Sequence, residues 1–313
     1  MPNWKVLIAD NLEEDGLSIL RARAEVDDRP GIKPEELLDV ISGYDALIVR
    51  GRTKVTEAVF AAASHLKVVG RAGVGVDNID LAAANKHSVQ VVNAPTATSM
   101  AVAELTLAFL FSLARRIPEA DADMKTGQWT KKELKGVELN GKVLGVVGMG
   151  HIGSLVAQKA AGLGMKVIGY DPFLAGEVIE QRGAEPVRLA DLYARSDFIT
   201  LHLPLSPETR GMIDGQTLGQ MKRGVYLICA ARGGILDETA LLGALESGQV
   251  AGAALDVYAK EPPGLTALVA HPCVIATPHI GAQTEEAQER AAVDIANEVL
   301  AALENEPLRW KVV

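Results

Sequence analysis

His279 stands in ATPHIGA (276–282), wedged between a proline and an apolar run. Histidine is the side chain whose charge changes most readily near neutral pH. In such dry surroundings it is either a packed core residue or a proton carrier, and taken alone the core reading has the better claim, because isolated polar residues mostly satisfy local hydrogen bonds. Two other stretches hold groups that could share chemistry with it: Arg232 in CAARGGILDE, and Asp256 and Glu261 in ALDVYAKEPP. An arginine can grip a carboxylate through two parallel bonds, and a glutamate can hold an imidazole in one tautomer. Each also has a duller explanation. Arg232 could cap a helix, and Glu261 could be a solvated loop charge.

A second constellation lies upstream. KVLGVVGMGHIGSLVAQ carries G-x-G-x-x-G at Gly148, Gly150 and Gly153, after an apolar run and at the head of a helical segment. In that context Gly148 permits a tight turn, Gly150 admits a pyrophosphate close to the backbone, and Gly153 lets helix and strand touch. The helix N-terminus then offers free N–H groups and a positive dipole end to phosphate. The following strand ends in Asp171, 18 residues after Gly153. An acid there accepts both adenosine ribose hydroxyls and repels a 2′-phosphate, so NAD is expected over NADP. Beside a nicotinamide, Arg232, Glu261 and His279 form a set suited to carboxylate binding and to moving the proton that accompanies a hydride.

Elements that would position these groups follow a βαβ rhythm, which predicts parallel sheets covered on both faces. Strands are expected at 5–10, 46–50, 67–72 and 89–94, then at 142–148, 166–171, 198–204, 225–231, 251–257 and 274–278, with helices such as 34–42, 151–163 and 237–247 between them. The rhythm breaks at SMAVAELTLAFLFSLARRI (99–117), a helix apolar on most faces and expected to stop at Pro118. Such a helix must be buried, between domains or against another subunit. A last long helix is expected over 285–303.

Composition narrows the function classes. The chain has 313 residues, 48 % hydrophobic and only 4 % aromatic, which suits aliphatic cores around buried parallel strands. A net charge of −9 argues against a nucleic-acid partner. The two cysteines, Cys229 and Cys273, make neither a disulfide framework nor a metal site. The N-terminal segment lacks a signal-peptide layout, and no membrane span is read near it, so a cytoplasmic location is expected.

The chain resembles the D-isomer-specific 2-hydroxyacid dehydrogenase family from about Leu7 to Leu300. The likeness rests on IVRGRTKVT, VVGRAGVGVDNIDLAAA, AAANKHSVQVVNAP, ELNGKVLGVVGMGHIGSLVA, GYDP, CAARGGILDE, GAALDVYAKEPP and TPHIGA. It implies an α/β protein of two doubly wound parallel-sheet domains. A flavodoxin-like substrate domain would comprise 1–97 plus 285–313, and a Rossmann NAD-binding domain 98–284. It also implies a catalytic trio of Arg232, Glu261 and His279, which sets the core reading of His279 aside.

Cofactor contacts implied by the resemblance fall on Val74, Gly148, Gly150, His151, Ile152, Gly153, Asp171, Leu203, Pro204, Ala230, Arg232, Asp256, His279, Gly281 and Ala282. Substrate contacts fall on Arg50, Arg71, the backbone N–H groups of Val74 and Gly75, Arg232 and His279. Arg50 and Arg71 each end an expected strand and match arginines that face a substrate phosphate, so the 2-hydroxy acid is expected to be 3-phosphoglycerate. Lys131 and Lys132 match a basic stretch that reaches across a homodimer. His151, Cys229, Thr98 and Arg52 depart from the family pattern and bear on cofactor affinity and substrate ranking. Longer relatives carry a C-terminal regulatory domain, so no feedback by serine is expected of this chain. The rival readings are a reductase of hydroxypyruvate, glyoxylate or another 2-keto acid, and an NADH-sensing protein like the corepressors built on this fold.

Overall fold

A computed structural model of the chain describes residues 4–313, so the first three residues of the segment read for a signal peptide lie outside it. Two compact units form. The first ends at Thr98 and resumes over Ala282–Val313, and the second is the continuous segment Ser99–Gly281.

Short aliphatic runs make buried parallel strands, because both faces of such a strand must meet apolar cover. In the first unit these are β1 (Trp4–Ile8), β2 (Ala24–Asp28), β3 (Ala46–Val49), β4 (Val68–Arg71) and β5 (Gln90–Asn93). They pair in the parallel order β2-β1-β3-β4-β5, the flavodoxin-like arrangement. All four residues of β3 are buried, as a central strand requires. β2 was not among the expected strands. Its sequence AEVDD alternates acids with small apolar residues because it is a half-exposed edge.

The second unit contributes β6 (Val143–Val147), β7 (Lys166–Tyr170), β8 (Glu185–Pro186), β9 (Phe198–Leu201), β10 (Val225–Cys229), β11 (Val250–Leu255) and β12 (Val274–Ala276). Their parallel order, β12-β11-β10-β9-β6-β7-β8, is that of a Rossmann sheet. Order reverses between β1 and β3 in one unit and between β6 and β9 in the other. Crevices at those reversals, outside the carboxyl ends of the strands, are where open α/β sheets bind ligands. Most strands end one to three residues earlier than expected.

The helix expected over 99–117 is corrected. It runs Ser99–Arg115, Arg116 takes a left-handed conformation (φ 51°), and a separate helix follows over Ile117–Lys125. Pro118 therefore does not stop a helix. It sits in the first turn of the next one, where its missing N–H is not needed. Arg116 holds the corner by donating from Nε and Nη2 to the two carboxylate oxygens of Glu119, at 2.8 and 2.6 Å. Along Ser99–Arg115 the residues Ala103, Leu110 and Ala114 are buried, whereas Met100 and Phe111 keep 39 % and 42 % exposure. Among the described residues no helix is long and apolar enough to cross a membrane.

The helix Glu285–Leu303, capped by Thr284, belongs to the first unit and covers its sheet with Ile295, Val299 and Leu300. Two glycines let it approach. A Cβ on Gly70 of β4 would lie 2.5 Å from Val299 Cγ2, and one on Gly16, in the helix Glu14–Arg21, would lie 2.6 Å from the Ala292 carbonyl oxygen. Gly16 meets backbone, which cannot rotate away. Gly16→Ala should therefore destabilise the protein by about 1–3 kcal/mol in urea unfolding, despite alanine's better helix propensity.

Candidate active site

The sharp turn after β6 fits a dinucleotide. Gly148 has φ 92°, and a Cβ there would lie 2.4 Å from the His202 carbonyl oxygen. A Cβ on Gly153 would lie 2.0 Å from the Gly148 carbonyl oxygen, so this glycine serves helix–strand contact. Gly150 differs, because a Cβ there meets nothing within 4 Å. Its lack of a side chain is not needed for packing, which leaves backbone approach by a ligand as the reason for it. His151 and Ile152 open the helix His151–Gly162, with His151 exposed at its positive end.

Asp171, just beyond β7, holds this loop. One carboxylate oxygen accepts the Met149 N–H at 2.9 Å and the other the Phe173 N–H at 3.0 Å. Arg182 donates to the Met149 carbonyl, so both ends of that peptide are fixed. Leu203 and Pro204 follow β9 and Ala230 follows β10, all at the carboxyl edge of the sheet. Cys229, the departure next to Ala230, is a buried thiol pushed up to about 11 by burial, hence inert.

The trio lies along the carboxyl ends of the neighbouring strands β10, β11 and β12. His279 Nδ1 is 2.8 Å from Glu261 Oε2. A carboxylate can only accept, so Nδ1 carries the proton and Nε2 presents its lone pair outward. The other Glu261 oxygen accepts the Tyr258 N–H at 3.1 Å, which fixes the carboxylate plane. Both side chains remain partly open, at 50 % for His279 and 37 % for Glu261.

His279 itself has φ 54°, a left-handed conformation uncommon outside glycine and costing roughly 1 kcal/mol. Asp256, 1 % exposed, holds that turn. Its Oδ1 accepts from the Thr277 hydroxyl at 2.6 Å and the Ile280 N–H at 2.8 Å, and its Oδ2 from the Gly281 N–H at 2.8 Å. Tyr258 donates its hydroxyl toward the Leu255 and Thr277 carbonyls at 3.1 Å, joining the ends of β11 and β12. Arg232 donates to the Ala231 carbonyl at 2.7 Å. The next residue, Gly233, is required by contact, since a Cβ there would lie 1.8 Å from the Tyr258 carbonyl oxygen. His202 is no rival base. Burial pushes its imidazole down to about 4, and its Nε2 is engaged with Thr200 Oγ1 at 2.9 Å.

The first unit builds its own polar edge. Arg50 follows β3 and Arg71 ends β4, and the register Val49↔Arg71 brings them to one edge of the sheet. Asp10, 5 % exposed beyond β1, accepts the Arg50 N–H at 2.7 Å, the Thr53 hydroxyl at 2.7 Å and the Thr53 N–H at 3.2 Å. Asn78 donates to the Arg50 and Thr53 carbonyls at 2.9 and 2.7 Å. Burial lowers the Arg50 guanidinium from its ordinary value, with Glu13 and Asp10 opposing that; arginine stays charged regardless. Gly73 has φ 138°, and a Cβ there would overlap Arg71 Nη1 at 1.6 Å. Val74 and Gly75 follow in the same loop, with the Val74 carbonyl held by Asn93 Nδ2 at 2.7 Å. Arg52, 65 % exposed, reaches Asp10 Oδ1 at 3.5 Å.

Lys131 and Lys132 are exposed and stand apart from the trio's hydrogen bonds. Thr98 is buried at the end of the first unit's leading segment, and Ala282 opens its closing one. Among the described residues no cluster of histidine, cysteine and carboxylates could hold a metal. Asp10, Asn78, Asn93, Arg182, Gly233, Tyr258 and Thr277 were not singled out from sequence as site residues. Only Asp10 had a visible signal, an acid at the end of the strand-like KVLIAD.

The family model described as "D-isomer specific 2-hydroxyacid dehydrogenase, NAD binding domain" matches residues 107–281. The chain belongs to that family. It is 47 % identical over 308 residues to the D-3-phosphoglycerate dehydrogenase of Synechocystis sp., covering 98 % of this chain and 56 % of that protein. It is 48 % identical over 303 residues to the D-3-phosphoglycerate dehydrogenase of Methanocaldococcus jannaschii, covering 96 % and 58 %. The chain thus spans somewhat over half the length of these relatives. A glyoxylate reductase from Paecilomyes thermophila superposes with a TM-score of 0.92 at 30 % identity, covering 100 % of this chain and 99 % of that one.

NAD is the cofactor of this dehydrogenase family, and the loop of Gly148, Gly150 and Gly153 with Asp171 fits it. The distinct surroundings of the glycines give a test. Gly150→Ala should leave the melting temperature unchanged while weakening NADH binding roughly ten-fold or more, read by fluorescence titration. Gly148→Ala should lower both.

Proposed function

We propose that this dehydrogenase oxidises D-3-phosphoglycerate to 3-phosphohydroxypyruvate with NAD, the entry step to serine. The observation that carries the reading is the His279–Glu261 pair at 2.8 Å, with the imidazole partly open. Likeness to two D-3-phosphoglycerate dehydrogenases supports the choice of substrate. Bound NAD supplies the hydride acceptor. His279 Nε2 takes the proton of the C2 hydroxyl. Glu261 balances the charge that the imidazole gains and keeps Nδ1 protonated. Arg232 grips the substrate carboxylate and carbonyl oxygen with its planar guanidinium. The backbone N–H groups of Val74 and Gly75 also meet the carboxylate, and Arg50 and Arg71 take the phosphate, with the rigid Asp10 and Asn78 scaffold keeping Arg50 in place.

Exposed Met100, Phe111, Ile117, Met124 and Trp129, all within 100–129, support a homodimer, because covering apolar side chains with a second copy is favourable. The unpaired thiols of Cys229 and Cys273 fit a reducing compartment such as the cytoplasm. A second reading, favoured by the likeness to a glyoxylate reductase, is reduction of an unphosphorylated 2-keto acid.

His279→Ala should cut turnover by about 10²–10⁴ while NADH affinity stays near wild type. Arg232→Ala should raise KM and lower turnover together. Near wild-type turnover in His279→Ala at every pH would remove the assigned base. Following NADH consumption over a panel of 2-keto acids separates the readings. The phosphorylated acid should be preferred, and Arg50→Ala should erase that preference without harming unphosphorylated acids.

A further inference from the structure

The last residues of the chain run back along the first unit's sheet. After the helix Glu285–Leu303, Glu298 on that helix reaches out to them and is only 4 % exposed. Its Oε2 accepts the Arg309 N–H at 3.0 Å and the Trp310 N–H at 3.2 Å. A carboxylate so enclosed is tolerable only with such donors. The chain then lies antiparallel beside β5, bridging Lys311 to Val92. Asn93 donates its N–H to the Trp310 carbonyl at 3.3 Å, Val312 to the Val91 carbonyl at 2.7 Å, and Val91 to the Val313 carbonyl at 3.2 Å. The otherwise open edge of the sheet is thereby paired.

The inner side of the same strand end holds the loop after β4. Asn93 Nδ2 donates to the Val74 carbonyl at 2.7 Å, and the Ala94 N–H to the Gly73 carbonyl at 3.0 Å. One short segment, Val91–Ala94, is thus bonded to the tail through its backbone and to the Gly73–Gly75 loop through Asn93 and Ala94. Glu298 holds the start of the tail, the tail pairs the outer side of β5 while β4 pairs its inner side, and the end of β5 holds the loop. The three links run in series from Glu298 to the Val74 carbonyl.

We infer that Glu298 and the tail strand set the conformation of the Gly73–Gly75 loop, making Glu298 a positioning residue for substrate binding. The functional half rests on the assignment, made above, of the Val74 and Gly75 N–H groups to the substrate carboxylate. Glu298 touches no reacting group and acts through the end of β5, by way of Asn93 and Ala94.

The test uses the full chain with three substitutions. Glu298→Ala removes the acceptor, Glu298→Gln keeps an oxygen there, and Val312→Pro deletes one tail hydrogen bond together with the packing of Val312 on the first unit's core. Hydrogen exchange at residues 73–76 should quicken roughly ten-fold in Glu298→Ala and Val312→Pro and stay near wild type in Glu298→Gln. KM for the keto acid should rise roughly three- to ten-fold in the first two, with turnover and NADH affinity little changed. In an Asn93→Ala background, adding Glu298→Ala should raise KM by less than it does in the otherwise unaltered chain. Unaltered loop exchange in both Glu298→Ala and Val312→Pro would overturn the inference, as would faster exchange with an unaltered KM. Exchange reports the coupling even in a chain that turns over no 2-keto acid, so failure of the coupling and failure of the proposed activity are read separately.

Discussion

One hydrogen bond, from the His279 ring to Glu261, gives the rest of the second unit its chemical sense. It requires a carboxylate and an imidazole 18 residues apart in sequence to meet at 2.8 Å with the ring's other nitrogen turned outward. Neither residue could do this alone. His279 stands in a backbone conformation that its own side chain disfavours, and it is kept there because the buried Asp256 accepts three donors from the turn around it. Glu261 is aimed by the Tyr258 N–H, and Tyr258 in turn ties two strand ends together. Local backbone strain is thus held by a charged group that water cannot reach, a common economy where a reactive side chain must point one way.

The same device recurs in the first unit. Asp10 stands to the Arg50 turn as Asp256 stands to the His279 turn: a carboxylate just past a buried strand, turned sideways onto the backbone of a neighbouring strand end. Both occupy the carboxyl edge of a parallel sheet, where strand termini leave N–H groups without ladder partners. A buried acid satisfies several of them at once.

Much of this was readable beforehand, and the boundary between readable and hidden is physical. The glycine loop and Asp171 were legible from their spacing relative to a strand end and a helix start, whereas Arg232, Glu261 and His279 were assigned as a catalytic trio only through the family resemblance. The helix Glu285–Leu303 is legible to the residue because its apolar period is long and a threonine caps it. The edge strand β2 was missed because half exposure dilutes its apolar pattern, and Pro118 misled because a proline that ends one helix and a proline that begins the next look alike. The partners of Asp10, Asn78, Asn93 and Glu298 stayed hidden for another reason. Each of these residues acts by bonding backbone groups between 11 and 43 residues away, and nothing in the neighbouring letters marks which peptide that will be.

The threading of the chain has a consequence for its birth. The second unit is a single uninterrupted segment, so all its strands have emerged once Gly281 is made. The first unit cannot close at that stage. Its sheet lacks the covering helix Glu285–Leu303, which seats against Gly16 and Gly70, and lacks the partner along β5. During synthesis the earliest strands therefore wait, with an apolar face and an unpaired edge in water, until the segment Ala282–Val313 arrives. A nascent chain stalled before its last helix would be sticky at its beginning, not at its end.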